Sequence, residues 1–202
     1  MKNQLVLLTV FFSLLIVSSY GQKVKTKIGL KAGLNLANIS NGQDNISFSP
    51  EMKADFQAGA VVNLHWGFRN ELSGLGTGLW GLQPEVLYSR QGFAVDGEAV
   101  QLSYITVPVL AKYYPTKEIS IEAGPYFSYL LSVSPASTVI DGAEIPLSDL
   151  KGGKDAGLAF GVGYEFAKGL NLSARYNLGI SDVANNIKWK NNVIAISVGW
   201  FF

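Results

Sequence analysis

The feature that most constrains this chain is an apolar side chain at every second position, sustained over unusually long stretches. In "KIGLKAGLNLA", Ile28, Leu30, Ala32, Leu34 and Leu36 share one face, with Gly29, Lys31, Gly33 and Asn35 on the other. A period of two is the signature of a strand, because successive side chains point to opposite faces. The pattern returns in "DFQAGAVVNLHWGF", "GLQPEVLYSRQG", "QLSYITVPVLAKYY", "EISIEAGPYFSYLL", "DAGLAFGVGYEF", "LNLSARYNLGI" and "NNVIAISVGWFF". This predicts eight strands of about nine to fourteen residues. Soluble strands most often have about five or six, whereas a tilted strand that crosses a bilayer needs about nine to eleven. The expected fold is all-β: an eight-stranded, antiparallel, up-and-down transmembrane β-barrel.

The connections point the same way. "YPTKE" and "FAKGL" are tight turns, while 37–54 and 132–153 are long and polar, with shorter polar segments at 91–99 and 181–191. Connections one, three, five and seven are thus expected to be the longer ones at one end, with four and six short at the other. Short turns at one end and longer loops at the other are the habit of outer-membrane barrels. The second connection, near 67–77, is longer than a tight turn, and the alternation does not fix where its following strand begins.

Alternation gives two faces but not which meets water. A soluble, lipocalin-like carrier would be oily inside, and this is the alternative reading. Three observations favour the inverse. Eight strands enclose a space just wide enough for side chains, so the glycine, serine and asparagine face suits the interior and the bulky face must point outward. Charged residues are 15% of the chain, against about 25% in soluble domains. Those on the polar face carry both signs: Lys31, Lys112 and Arg175 against Glu85, Glu122, Asp155 and Glu165. They are expected to form a paired lumen network. Aromatic residues, Trp66, Tyr88, Tyr113, Tyr129, Tyr164, Tyr176, Trp200 and Phe202 among them, fall mainly near strand ends on the oily face, as rings at a membrane–water interface do. Trp200 and Phe202 would therefore face lipid at the periplasmic rim, anchoring the closing strand.

Residues 1–21 read as a signal peptide, with Lys2 ahead of the apolar run "LVLLTVFFSLLIV" and small residues at Ser19 and Gly21. Residues 22–202 form the barrel domain. Cysteine is absent, which excludes disulfides and thiolate metal sites. A formal net charge of +1 gives no electrostatic reason for a nucleic-acid partner.

Candidate chemistry is sparse. His65, the only histidine, points inward on its parity and reads as a hydrogen-bonded lumen residue rather than a general base or metal ligand. The carboxylates could make an acid–base pair, but neutralising the lumen cations is the simpler role, since an unpaired charge there would be costly. "GLGTGLWG" matches G-x-G-x-x-G at Gly76, Gly78 and Gly81, yet no helix-period segment follows it, as a dinucleotide site requires. Asn45 and Asn171 head N-x-S matches that say nothing in this setting. No enzyme activity, cofactor or metal is expected.

"LQPEVLYSRQG", "LSYITVPVLAKYY", "IEAGPYFSYLL", "DAGLAFGVGYEF" and the aromatic end of the chain, in this order, resemble the outer membrane β-barrel domain family of Bacteroidota, often labelled porin family proteins. The resemblance covers about residues 22–202. It implies an outer-membrane barrel of about eight strands in a Gram-negative bacterium, with outer-membrane lipids as surroundings and an accessory role in secretion as one option. It also implies that the barrel-assembly machinery reads the last strand through Phe202. The word porin implies no channel, because an eight-stranded interior is filled. A ligand or protein partner is expected at the external loops, in 37–54 and 132–153.

Overall fold

The computed structural model describes residues 25–41, 51–66, 79–95, 98–135, 137–140, 143–146, 153–181 and 189–202. The expected signal peptide therefore lies outside the described residues. The barrel strands are β1 (Lys25–Asn41), β2 (Glu51–Trp66), β3 (Leu79–Val95), β4 (Glu98–Tyr114), β5 (Ile119–Ser134), β8 (Lys154–Glu165), β9 (Leu170–Gly179) and β10 (Trp189–Phe201). A small hairpin, β6 (Ser137–Ile140) and β7 (Ala143–Pro146), stands between β5 and β8.

The eight long strands form a closed antiparallel barrel in the order β1-β10-β9-β8-β5-β4-β3-β2. Each pairs with its neighbour along the chain, and β10 closes on β1 with Gly29 opposite Phe201 and Asn41 opposite Trp189. Closure leaves no ladder edge in lipid, where an unpaired backbone group has no other partner. No described helix is long and apolar enough to cross a membrane; the crossing is made by strands.

The alternation is realised as read. Leu30, Val86 and Phe160 are 60%, 54% and 48% exposed, too open for a soluble core, while Lys31, Glu85, Lys112, Glu122 and Arg175 are buried. The oily faces point outward, and the polar and ionic faces share the axis. This arrangement does not favour the soluble carrier.

Three expectations need correction. First, 91–99 is not a polar loop: β3 and β4 run through it, with Val95 opposite Glu98, leaving only Asp96 and Gly97 between them. Asp-Gly is a favoured pair for a two-residue hairpin because both positions tolerate positive φ, and that signal outweighs the segment's polarity. Second, the strands outgrow the bilayer. A 17-residue strand such as β1, tilted by about 40°, rises roughly 43 Å against an apolar band of about 25 Å. The ten residues of β9 rise only roughly 25 Å on the same arithmetic. Parts of 37–54 and 132–153 are accordingly strand: the ends of β1, β2 and β5, and the β6–β7 hairpin. Third, the interior is not filled by small residues alone. Leu87, Leu102, Tyr104, Leu110, Tyr126 and Leu130 also point inward and are buried.

The second connection ends where β3 starts at Leu79. "FAKGL" is a 3₁₀ turn over Ala167–Gly169, with Lys168 at φ 69° and Gly169 at φ 91°. A Cβ at Gly169 would lie 2.2 Å from the Phe201 carbonyl oxygen, so this turn is built around glycine.

Candidate functional site

The lumen gathers most of the buried charge. It is built from the inward positions of β1, β3, β4, β5, β8 and β9. At its centre the Arg175 guanidinium forks onto Glu85, with Nη1 3.0 Å from Oε2 and Nη2 2.9 Å from Oε1. The same guanidinium donates from Nε and Nη2 to Glu122 Oε1, at 3.1 and 3.0 Å. Lys31 Nζ donates to Glu85 Oε1 at 2.9 Å. Paired, bidentate contacts of this kind are the strongest available to a carboxylate. Gly161 makes the space: a Cβ there would come within 3.0 Å of Glu122 Oε1 and 2.7 Å of the Ala174 carbonyl oxygen.

Toward the turn end the network continues through Lys112. Its Nζ donates to Gln83 Oε1 at 3.1 Å and lies 3.7 Å from both Glu122 Oε2 and Glu165 Oε1. Glu165 also accepts from Lys27 Nζ at 2.8 Å and from the Tyr114 hydroxyl at 2.7 Å. His65 Nε2 stands 3.8 Å from Glu165 Oε1, and its ring lies 5.0 Å from that of Tyr114. Asn63 donates to both Gln83 and the Tyr114 hydroxyl, each at 2.9 Å. Among the described residues no group of three or more His, Cys, Asp or Glu is placed to hold a metal ion.

Six of the seven residues expected in the charge network are thus joined: Lys31, Glu85, Lys112, Glu122, Glu165 and Arg175. Asp155 is not among them. It sits near the external end of β8, ten residues from Glu165, roughly 33 Å along the strand and beyond any side chain's reach. Its Oδ2 accepts from Asn191 Nδ2 at 3.2 Å and from the Tyr126 hydroxyl at 3.4 Å, and its Oδ1 from Ser181 Oγ at 3.2 Å. Sequence reasoning missed Lys27 and Tyr114, although parity with Lys31 and Lys112 places both on the inward face.

Trp200 and Phe202 are exposed on the outer wall at the turn end. Trp200 lies opposite Leu30 of β1 and Leu170 of β9, and the Phe202 amide donates to the Ile28 carbonyl at 2.8 Å. Trp80 of β3 and Tyr113 of β4 pair across the barrel from them on the same rim, ring centroids 5.1 Å apart.

The family described as "Outer membrane protein beta-barrel domain" matches residues 20–185. The chain belongs to this family. With the closed eight-stranded wall and its apolar exterior, membership makes it an outer-membrane β-barrel protein. Among solved structures, Ail, the attachment invasion locus protein of Yersinia pestis, is similar at 14% identity and a TM-score of 0.47, over 88% of this chain and 99% of that one. Neisserial surface protein A, NspA, is similar at 11% identity and a TM-score of 0.48, over 88% and 99%. No curated protein matches the chain.

Proposed function

We propose that this protein is a closed, non-conducting, non-enzymatic scaffold of the outer membrane that binds a ligand or protein partner at its external end. The observation that carries this reading is the contact between Arg175 and Glu85. Their strands, β9 and β3, stand four places apart whichever way the eight-stranded ring is followed. The ion pair therefore spans the lumen along a diameter. A second diametric contact, Asn191 Nδ2 to the Tyr104 hydroxyl at 3.2 Å, links β10 to β4 nearer the external end. Side chains meet directly across the axis at both levels.

A plugged barrel has its freedom to act at its rims, and connections on a rigid wall commonly carry recognition. The external extensions of β1 to β5, with the β6–β7 hairpin, supply that surface; an accessory part in secretion is one form such binding takes. Residues 1–21 would direct export, and the closing strand with Trp200 and Phe202 would be read by the barrel-assembly machinery.

Planar-bilayer recording tests the plug. The wild type should give no sustained conductance steps, and the double variant Arg175→Ala, Glu85→Ala should give intermittent ones. Steady conductance from the wild type would sink this reading.

A further inference from the structure

The outer wall carries a depression where β8 meets the external membrane surface. Along β8 the outward side chains are Tyr164, Val162, Phe160 and Leu158, all large, and then Ala156. Ala156 faces Phe127 across the ladder, and Lys154 faces Tyr129; on the next strand these meet Val107 and Ile105. The missing bulk at Ala156 leaves an almost wholly apolar hollow of about 440 Å³, bounded by Ile105, Val107, Phe127 and Tyr129, with Lys154 and Ser181 also lining it. Ser128 and Asp155, whose side chains turn inward, lie at its floor. The rung fixes its depth. Tyr129 is an exposed ring at the external end of the apolar band, where aromatic side chains mark the interface, so Lys154 lies at headgroup height.

The Lys154 side chain is exposed and makes no hydrogen bond or ion pair among the described residues. The carboxylate beside it in the chain, Asp155, is turned into the lumen and held by Asn191, Tyr126 and Ser181. Arg90, at the external end of β3, differs: it lies 3.4 Å from Asp55 and over the Phe56 ring at 5.3 Å. A lysine above an apolar slot, open to the hydrocarbon, complements an amphiphile with an anion above a chain.

We propose that this hollow holds one outer-leaflet lipid with a phosphate headgroup, the phosphate on Lys154 and an acyl chain over Ala156. The chain fills the space between Phe127 and Ser181, and the lysine stem lies along it with its ammonium at the surface.

Native mass spectrometry of the purified protein, released from nanodiscs of mixed phosphatidylglycerol and phosphatidylcholine, tests the site. The wild type should retain one phosphatidylglycerol in preference to phosphatidylcholine. Lys154→Gln should lower that retention about fivefold, the worth of one lysine at an anionic surface. Ala156→Phe, which fills the slot and leaves the charge, should lower it as well. Both changes lie on the outer wall, and a heat-dependent gel shift confirms that each variant is folded. Equal retention of the two lipids, or wild-type retention by both variants, would overturn the proposal. So would loss in Lys154→Gln alone, which would mean an anion bound without its chain.

Discussion

At mid-barrel and toward the turn end, each buried carboxylate meets a cation: Glu85 meets Arg175 and Lys31, Glu122 meets Arg175 and Lys112, and Glu165 meets Lys27 and Lys112. Toward the external end, Asp155 meets an amide, a phenol and a hydroxyl. The space around it is closed by Leu102, Tyr104, Leu130 and Val193, all buried, and by neutral pairs such as Thr106 with Ser128 and Asn35 with Ser89, each at 2.9 Å. The first region is held by charge; the second, apart from the Arg90–Asp55 pair on the β2–β3 side, is held by the apolar packing and neutral hydrogen bonds of a soluble core. In a membrane barrel the hydrophobic effect cannot be spent on the outer wall, which stays in hydrocarbon. The inward face is then the part whose packing distinguishes one closed register from another, and this chain uses two chemistries to do it.

The contrast is broken most directly at Arg175. Arg175→Met keeps the bulk and removes the charge, leaving Glu85 and Glu122 facing each other with only the two lysines nearby. Removing one member of a buried ionic set costs about 3–5 kcal/mol. Urea unfolding of the protein folded into lipid vesicles, followed by the gel shift, should show a loss of that size. A loss under about 1 kcal/mol would mean that water already screens the pair and that the lumen is wet at this level. In the external region, Tyr104→Phe removes the hydroxyl that accepts from Asn191 while keeping the ring in its apolar setting. Asn191 retains Asp155 as acceptor, so the same assay should register about 0.5–1.5 kcal/mol, the net worth of one neutral hydrogen bond. A loss as large as that of Arg175→Met would erase the distinction between the two regions.

The two regions were not equally legible in the sequence. Inward or outward is a local property: it follows from parity along one strand, and it placed Lys31, Glu85 and Arg175 on the axis without knowledge of the fold. Height along the axis is not local. It depends on the register between strands, which sets Glu122 opposite Gly161 and Gly161 opposite Arg175. Asp155 and Glu165 share a face and a strand, so parity grouped them, while the length of β8 put them at opposite ends. The buried Leu102, Tyr104 and Leu130 were missed for a related reason. Near the external ends the two faces are no longer distinct: polar Gln101 and Ser103 alternate with inward Leu102 and Tyr104, and Leu130 and Leu131 are neighbours, so alternation no longer gives direction. The Asp-Gly pair at 96–97 is a tight-turn signal that the polarity of the surrounding segment hid.

The smallest effect is expected at Asp155, and it is the sharpest test of the comparison. In Asp155→Asn the shape is kept, the charge goes, and one oxygen becomes an NH₂ group. With the remaining oxygen in the place of Oδ2, the bonds from Asn191 and Tyr126 persist. The new NH₂ then faces Ser181 Oγ, which at present donates to Asp155 Oδ1 at 3.2 Å and accepts from the Ala156 amide at 2.7 Å. A serine hydroxyl has two lone pairs and a rotatable hydrogen. It can accept from the NH₂ and turn its own hydrogen to the Ala156 carbonyl, already 3.3 Å away. Only the second NH₂ hydrogen is left without an acceptor among these groups, and no cation among these neighbours loses its partner. The stability change should stay at about 1 kcal/mol, because charge-assisted bonds are exchanged for neutral ones and a single N–H goes unmet. A loss near that of Arg175→Met would show that the Asp155 charge is itself required, and the external region would have to be counted as ionic.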